Sequence, residues 1–186
     1  MSNHPLFVVR LGHRHDRDAR ITTHIGLVAR AWGATRLLVG GDRDSGVLET
    51  VLDVNRRFGG SMDCSHEASP MRWLKRFVAG GLEDVDHPGL AIHLTMYGLP
   101  VDEVVPGLAR NQPTAFVVGG PKVPPEIWDI CQHHVSIGSQ PHSEVAALAI
   151  ALDRWGARPD DVDTSDARLR IIPTAQGKQV LDSVDE

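Results

Sequence analysis

The chain has 186 residues, 41% of them hydrophobic, which is enough for one sizeable domain and marginal for two. No run approaches the 18 consecutive apolar residues of a transmembrane helix, and the start lacks the apolar stretch of a signal peptide, so we expect a cytoplasmic protein without a membrane partner. The net charge of −5 argues against a nucleic-acid partner unless positive charge is gathered locally.

Positive charge is in fact gathered near the start of the chain. Residues 10–36 hold six arginines and two aspartates, a balance of 6 − 2 = +4. The tail from Ala157 holds four basic and seven acidic residues, 4 − 7 = −3. A cluster of arginines is typical of a surface that contacts many phosphates, as in RNA.

Strand and helix patterns alternate along the chain. Apolar runs predict strands at 6–11, 36–41, 61–65, 90–96, 114–120, 134–138 and 168–173. Helical spacing predicts helices at 21–32, 45–60, 69–81, 124–132 and 142–156, with a weak one from Thr174. Thr22 or Thr23 is the expected N-cap of the first helix. This alternation predicts an α/β fold with a mostly parallel sheet.

One soft boundary interrupts the pattern. The segment Arg158–Asp166 is rich in aspartate and lacks apolar periodicity. We therefore expect one domain over residues 1–157, with residues 158–186 as a C-terminal extension packed on the same domain.

Three predicted strands are followed by loops that share one form, in which small or polar residues lead into a helix. These loops contain residues 93–98, 117–124 and 135–144. Ligands of open parallel sheets bind beyond the carboxyl ends of the strands, so the three loops predict a small-molecule site. Ordinary β–α turns are the alternative, with Met96 and Tyr97 as core residues. Neither a dinucleotide-binding glycine motif nor a P-loop occurs.

Four stretches, in this order, resemble the knotted methyltransferases of the SPOUT superfamily. They are RLGHRHDRDARITTHIGLVARAWGA (10–34), IHLTMYG (92–98), VVGGPKVP (117–124) and VSIGSQPHSEVAALAIALDR (135–154). They are similar above all to the archaeal tRNA (cytidine(56)-2′-O)-methyltransferases. The resemblance implies an α/β knot fold with a C-terminal deep trefoil knot, a homodimer, and transfer of a methyl group from S-adenosylmethionine to the ribose 2′-OH of cytidine 56 in the tRNA T-loop.

The same resemblance implies that the three loops bind the cofactor. The implied cofactor-binding residues are Leu94, Thr95, Met96, Tyr97, Gly98, Gly119, Gly120, Pro121, Lys122, Val123, Ile137, Gly138, Ser139, Gln140, Pro141, His142, Ser143 and Glu144. Gly138 is expected to let the backbone of the third loop approach the ligand closely.

The resemblance also implies a catalytic arginine that one subunit supplies to the cofactor of the other. Arg20 is our candidate, with Arg14 and Arg17 as RNA-binding residues. Bacterial ribose methyltransferases carry this arginine on the helix itself, where the present chain has Leu27. A phosphate contact or a solvated charge is the alternative for each arginine.

Histidines and cysteines predict no metal site. The stretches 13–15, 64–66 and 131–134 lack the ligand spacing of zinc sites, and two cysteines do not make a disulfide framework. His142 lies at a predicted helix N-terminus, where the helix dipole opposes protonation. It is expected either to contact substrate or cofactor while neutral, or to make a local hydrogen bond.

Two other functions stay open from the sequence. One is a non-catalytic tRNA-binding protein that keeps the fold, although such a protein would have no need of cofactor loops. The other is an α/β enzyme that acts on a free nucleotide, which the arginine-rich segment disfavours.

Overall fold

The computed structural model describes residues 4–85, 87–120 and 122–183 of the chain. Its strands are β1 Leu6–His13, β2 Arg36–Gly41, β3 Asp63–His66, β4 Leu90–Pro100, β5 Thr114–Gly119, β6 His133–Ser136, β7 Leu169–Ile172 and β8 Gln179–Asp182. Its α-helices are α1 His15–Ala31, α2 Ser45–Phe58, α3 Pro70–Ala79, α4 Val101–Val104, α5 Ile127–Ile130 and α6 Glu144–Trp155.

The first six strands form one sheet in the order β3-β2-β1-β5-β4-β6, and every neighbouring pair is parallel. The predicted α/β fold with a mostly parallel sheet is therefore confirmed. Because all six strands run the same way, their carboxyl ends meet at one edge of the sheet. The loops after β4, β5 and β6 are neighbours at that edge, because β4 lies between β5 and β6 in the sheet.

Helices cover both faces of this sheet, and alternate strand residues face opposite layers. One face packs against α1, α2 and α6 through residues such as Val8, Ile25 and Leu148. The other packs against α3 and α5 through residues such as Phe7 and Phe77. Both layers leave the carboxyl edge of the sheet open between α5 and α6.

The predicted start of the first helix was wrong. Helix α1 begins at His15, six residues before the predicted start, and Arg14 rather than a threonine is its N-cap residue. Asp16 and Asp18 lie in the first turn, where negatively charged side chains stabilise the helix by interacting with the positive end of its dipole. The charged first turn carries no apolar periodicity, so the sequence pattern became visible only at Ile21.

The C-terminal segment differs from the prediction at its end. Strand β7 is present, but the weak helix expected from Thr174 is wrong, because β8 pairs antiparallel with β7 instead. The backbone N of Gly60 donates to Oδ1 of Asp166 at 3.3 Å, which joins this segment to the end of α2. The division into residues 1–157 and 158–186 stays a prediction.

Candidate functional site

A cavity of about 480 Å³ lies at the carboxyl ends of β4, β5 and β6, between α5 and α6. This volume is within the usual range for small-molecule sites. Its lining residues are His93, Leu94, Thr95, Met96, Tyr97, Val118, Gly119, Gly120, Val123, Ile127, Trp128, Val135, Ile137, Gln140, Pro141, His142, Glu144 and Ala147.

Twelve of the eighteen residues predicted for the cofactor lie in this lining, which brings the three predicted segments together. Five others do not line the cavity, namely Gly98, Lys122, Gly138, Ser139 and Ser143. Pro121 lies outside the described residues.

The segment HLTMYG, predicted as the end of a strand and the loop after it, lies entirely within β4. Val135 of β6 pairs with Leu94 and again with Leu99, so the four residues between these two bulge out of the ladder. The bulge turns Thr95 and Met96 towards the cavity and leaves Tyr97 79% exposed at its mouth. A strand interrupted by a bulge beside a cavity is typical of ligand sites.

Gly98 lies at the end of the bulge in β4. A Cβ atom there would lie 2.5 Å from the backbone of His134 and Val135, so only glycine lets the bulge return against β6. Gly98 therefore supports the cavity wall without lining it.

In the third loop, residues 135–144, some residues line the cavity and others support its wall. Ile137, Gln140 and His142 line the cavity. Ser143 instead caps α6, since its Oγ accepts from the backbone N of Val145 at 3.3 Å. Gly138 has φ +130°, and a Cβ atom there would meet nothing within 4 Å, so this glycine is required by its backbone conformation rather than by a close neighbour.

An ion pair behind the cavity joins Glu144, a predicted cofactor residue that is partly buried, to Arg10, which was not predicted for the site. Arg10 on β1 is 2% exposed, and its Nη1 lies 3.0 Å from Oε2 of Glu144 at the start of α6. Neither atom makes a well-aligned hydrogen bond with a described residue. Burial raises the pKa of Glu144, and the Arg10 charge opposes that rise. A charged residue inside an apolar strand was the sequence signal for this pair.

Asp18 links this pair to the first turn of α1. Nε and Nη2 of Arg14 donate to its carboxylate at 2.9 and 2.8 Å, and Arg10 lies 3.9 Å away. The hydrogen bonds from Arg14 lower the pKa of Asp18 to about 2. Much of the positive charge of Arg14 is therefore already neutralised inside the protein.

The remaining predicted arginines lie on the surface of α1. Arg17 and Arg20 are both exposed, and neither makes an ion pair with a described residue. Arg20 borders a shallow depression with His24 and Asp44, away from the main cavity. Within one chain, the structure therefore does not bring Arg20 to the predicted cofactor residues.

Two further arginines of the basic segment are engaged internally. Arg30 donates to Asn55 and to backbone carbonyls at the end of α2, and Arg36 pairs with Asp63 and Asp84. The exposed positive surface of residues 10–36 is consequently smaller than the balance of +4 indicated.

His93 and Trp128 form an aromatic wall of the cavity that the sequence analysis missed. Nδ1 of His93 lies 3.2 Å from Nδ1 of His134, and the Trp128 and His134 rings are 4.3 Å apart between centroids. Burial lowers the pKa of His93 to about 4, and it also lowers the pKa of His134. Both imidazoles are therefore neutral at neutral pH.

Metal ligands are not gathered at this site. In the described ranges, no three or more histidine, cysteine, aspartate or glutamate side chains are placed to hold a metal ion. Cys64 and Cys131 are free and buried, and burial raises the pKa of each thiol to about 12. Among the described helices, none is long and apolar enough to cross a membrane.

Known proteins are similar in sequence to this chain over almost its whole length. The family model described as "tRNA ribose 2'-O-methyltransferase, aTrm56" matches residues 58–181. A tRNA (cytidine(56)-2'-O)-methyltransferase of Methanothrix thermoacetophila is 46% identical over 175 residues, 94% of this chain and 96% of that protein. The chain belongs to the tRNA (cytidine(56)-2'-O)-methyltransferase family. The family resemblance drawn from the four stretches is thus confirmed.

A second relative, from Archaeoglobus fulgidus, carries the same name and is 42% identical over 95% of this chain and 98% of its own length. The family match covers both sides of the boundary at residue 157, so the C-terminal extension is part of the tRNA (cytidine(56)-2'-O)-methyltransferase family pattern.

Solved structures confirm the SPOUT-type fold of this family member. A TrmH-family putative RNA methyltransferase of Porphyromonas gingivalis matches with TM-score 0.62 and 16% identity, covering 85% of this chain and 61% of that one. The SpoU methyltransferase AviRb of Streptomyces viridochromogenes, in complex with the cofactor AdoMet, matches with TM-score 0.57 and 20% identity, covering 84% and 58%. At these identities the likeness concerns the fold alone.

Proposed function

We propose that this protein is an S-adenosylmethionine-dependent methyltransferase that methylates the ribose 2′-OH of cytidine 56 in the T-loop of tRNA. Its membership of the tRNA (cytidine(56)-2'-O)-methyltransferase family, at 46% identity over 94% of the chain, is the observation that carries this proposal. The C-terminal trefoil knot, the homodimer and a cytoplasmic location belong to the same proposal.

The cavity residues fit S-adenosylmethionine. Apolar walls with a few polar groups suit an adenosyl group, and the lining includes the carboxylate of Glu144, whose Oε2 faces Arg10. When bound, this cofactor supplies a methyl group on a positively charged sulfur. The carboxylate of Glu144 would attract this positive charge, less strongly than an unpaired carboxylate because Arg10 lies 3.0 Å from it.

Methyl transfer also needs the 2′-OH to lose its proton and to approach the methyl group nearly in line. Arg20 stays our candidate for stabilising the negative charge that develops on this oxygen while its proton passes to a water molecule. It would be provided by the partner subunit, because it lies outside the cavity of its own chain. Arg17 and Arg14 would hold phosphates of the same tRNA. The dimer would therefore complete a site whose described lining residues include no arginine.

Blocking the cavity tests the cofactor assignment. A Cβ on Gly120 would meet no atom closer than 3.7 Å, so the variant Gly120→Leu is expected to fold and to fill the cavity. We expect its affinity for S-adenosylmethionine to fall at least about 100-fold by calorimetry. Gly107→Ala, whose Cβ would meet nothing within 4 Å, is the control. Unchanged affinity of a folded Gly120→Leu protein would contradict the assignment.

Mixing two inactive variants tests the dimer. Arg20→Ala removes the proposed catalytic group and Gly120→Leu blocks the cofactor cavity. Random subunit exchange makes about half of the dimers mixed, each with one competent site, so about a quarter of the wild-type activity should return. An active monomer in sedimentation analysis would contradict the shared site.

Methyl-transfer assays separate the two other functions. A tRNA-binding protein without activity would bind the transcript and transfer no tritiated methyl group. An enzyme for free nucleotides would methylate cytidine monophosphate in place of the transcript. We expect transfer to the transcript alone.

A further inference from the structure

Two histidines beside the cavity constrain each other's protons. His93 of β4 and His134 of β6 are register partners, and their Nδ1 atoms lie 3.2 Å apart. A neutral imidazole has one N–H donor and one acceptor nitrogen, so one of the two Nδ1 atoms must donate and the other accept. Nε2 of His134 lies 3.3 Å from the backbone carbonyl of Trp128, which can only accept.

These contacts assign both tautomers. His134 carries its proton on Nε2 and donates to the Trp128 carbonyl, so its Nδ1 accepts. His93 then donates from Nδ1 to His134, and Nε2 of His93 is left with a lone pair. Neither ring gains a second proton near neutral pH, because burial lowers the pKa of both histidines.

The lone pair of His93 opens towards the cavity. His93 is 4% exposed and lies in the cavity lining, so its remaining surface faces that space. Among the described residues, Nε2 of His93 has no hydrogen-bond partner, and it is not one of the fully buried unpaired atoms. The protein thus holds an acceptor nitrogen ready for a donor on a ligand.

The surroundings indicate which donor this is. Ile127 and Trp128 lie beside His93 and form an apolar, partly aromatic wall suited to a planar base. The carboxylate of Glu144 lies on the other face of the sheet, by α6, and is the better partner for a positively charged group. The wall by α5 therefore fits a nucleobase, and the wall by α6 fits a cation.

We infer that His93 is a specificity-determining residue, whose Nε2 accepts a hydrogen bond from the exocyclic amine of an adenine in the cavity. This inference rests on the proposed function, in which S-adenosylmethionine occupies the cavity. His93 is not a general base in this scheme, because a ring that resists protonation at neutral pH does not take up the 2′-OH proton.

An analogue with an altered base tests the inference. S-inosylhomocysteine has a carbonyl oxygen where S-adenosylhomocysteine has the amine, and that oxygen would face the lone pair of His93. We expect the wild-type protein to bind the inosine analogue at least about 10-fold more weakly in calorimetry. His93→Phe keeps a ring but removes the acceptor, so its two affinities should agree within about 2-fold.

His133→Phe is the matched control, because His133 is the neighbour of His134 on β6 and does not line the cavity. It should keep the wild-type preference. Equal binding of both compounds to the wild-type protein, or an unchanged preference in His93→Phe, would overturn the inference alone. Failure of the wild-type protein to bind S-adenosylhomocysteine would overturn the proposed function as well.

A second measurement does not depend on any variant. Long-range ¹H–¹⁵N spectra of the histidine rings at neutral pH report the tautomer of each ring. We expect the proton of His93 on Nδ1 and that of His134 on Nε2. A proton on Nε2 of His93 would make this atom a donor and would overturn the inference.

Discussion

At the scale of single residues, we expect the largest loss of stability at the site from breaking the Arg10–Glu144 pair. Removing one partner of a buried pair leaves an uncompensated charge in the interior. We expect Glu144→Ala to lower the free energy of unfolding by about 3 kcal/mol in urea denaturation, at the lower end because Asp18 still lies 3.9 Å from Arg10.

Glu49→Ala is the control for this substitution. Glu49 is exposed and lies 3.8 Å from Arg56, so its removal should change the unfolding free energy by less than about 0.5 kcal/mol. Equal losses of unfolding free energy in Glu144→Ala and Glu49→Ala would show that the Arg10–Glu144 pair stabilises the fold no more than an exposed ion pair does.

The neutral histidines give the protein a pH dependence. The pKa of His93 is about 4 in the folded protein and 6.5 ordinarily, so the unfolded chain binds more protons between these values. Stability is therefore expected to fall as the pH falls from 6.5 towards 4, by about 2 kcal/mol at pH 4.5 from His93.

Urea unfolding at pH 7 and pH 4.5, in wild type and in His93→Phe, measures this contribution. Glu144 and Asp18 titrate in both proteins, so the difference between the two pH dependences reports His93 together with its contact partner His134. An identical pH dependence in both proteins would contradict the low pKa of His93.

Residues in the three segments after the strands could be predicted as site residues, because small and polar residues after an apolar run are visible in a sequence. His93 and Arg10 could not be placed in the same way. Both lie inside strands, and which helix or strand faces them depends on the order β1-β5-β4-β6, which strand patterns do not reveal. The pairing of His93 with His134 spans 41 positions of the chain.

At the scale of secondary structure, the bulge of β4 decides the shape of the cavity. Gly98→Ala would place a Cβ 2.5 Å from the backbone of His134. We expect this overpacking to lower the free energy of unfolding by about 2 kcal/mol in urea denaturation and to weaken cofactor binding. Gly107→Ala, with open space around the new methyl group, should change neither quantity. An unchanged unfolding free energy in Gly98→Ala would show that β4 and β6 move apart to admit the methyl group without loss of stability.

The sequence pattern predicted the bounds of most helices and strands within a few residues, but it misplaced the start of α1 and the end of β4. Helix α1 begins in a charged turn, so its first six residues carry no apolar pattern. The bulge of β4 mixes threonine, methionine, tyrosine and glycine, which looks like a loop, although β4 resumes pairing with β6 after it. In both places tertiary contacts, rather than local propensity, set the boundary.

At the scale of the whole molecule, the exposed arginines of α1 are expected to contact tRNA. Arg17 makes no ion pair among the described residues, whereas Arg14 is held by Asp18. Arg17→Ala should therefore flatten the plot of log affinity against log salt by about 0.7 to 0.9. Arg14→Ala should flatten it less, because its charge is already partly neutralised. Filter binding of a tRNA transcript at several salt concentrations measures both slopes.

Equal slopes in Arg17→Ala and wild type would place the tRNA elsewhere on the protein. A larger change for Arg14→Ala than for Arg17→Ala would show that the Arg14–Asp18 pair opens when tRNA binds.

The most direct test of the proposed function uses a tRNA changed at a single atom. We expect the protein to transfer about one methyl group from S-adenosylmethionine to an unmodified transcript, located by mass spectrometry on the ribose of cytidine 56. A transcript with 2′-deoxycytidine at position 56 only should accept none, because the receiving oxygen is missing. Methylation of that transcript at the wild-type rate, or of another nucleotide in the unmodified one, would contradict the account.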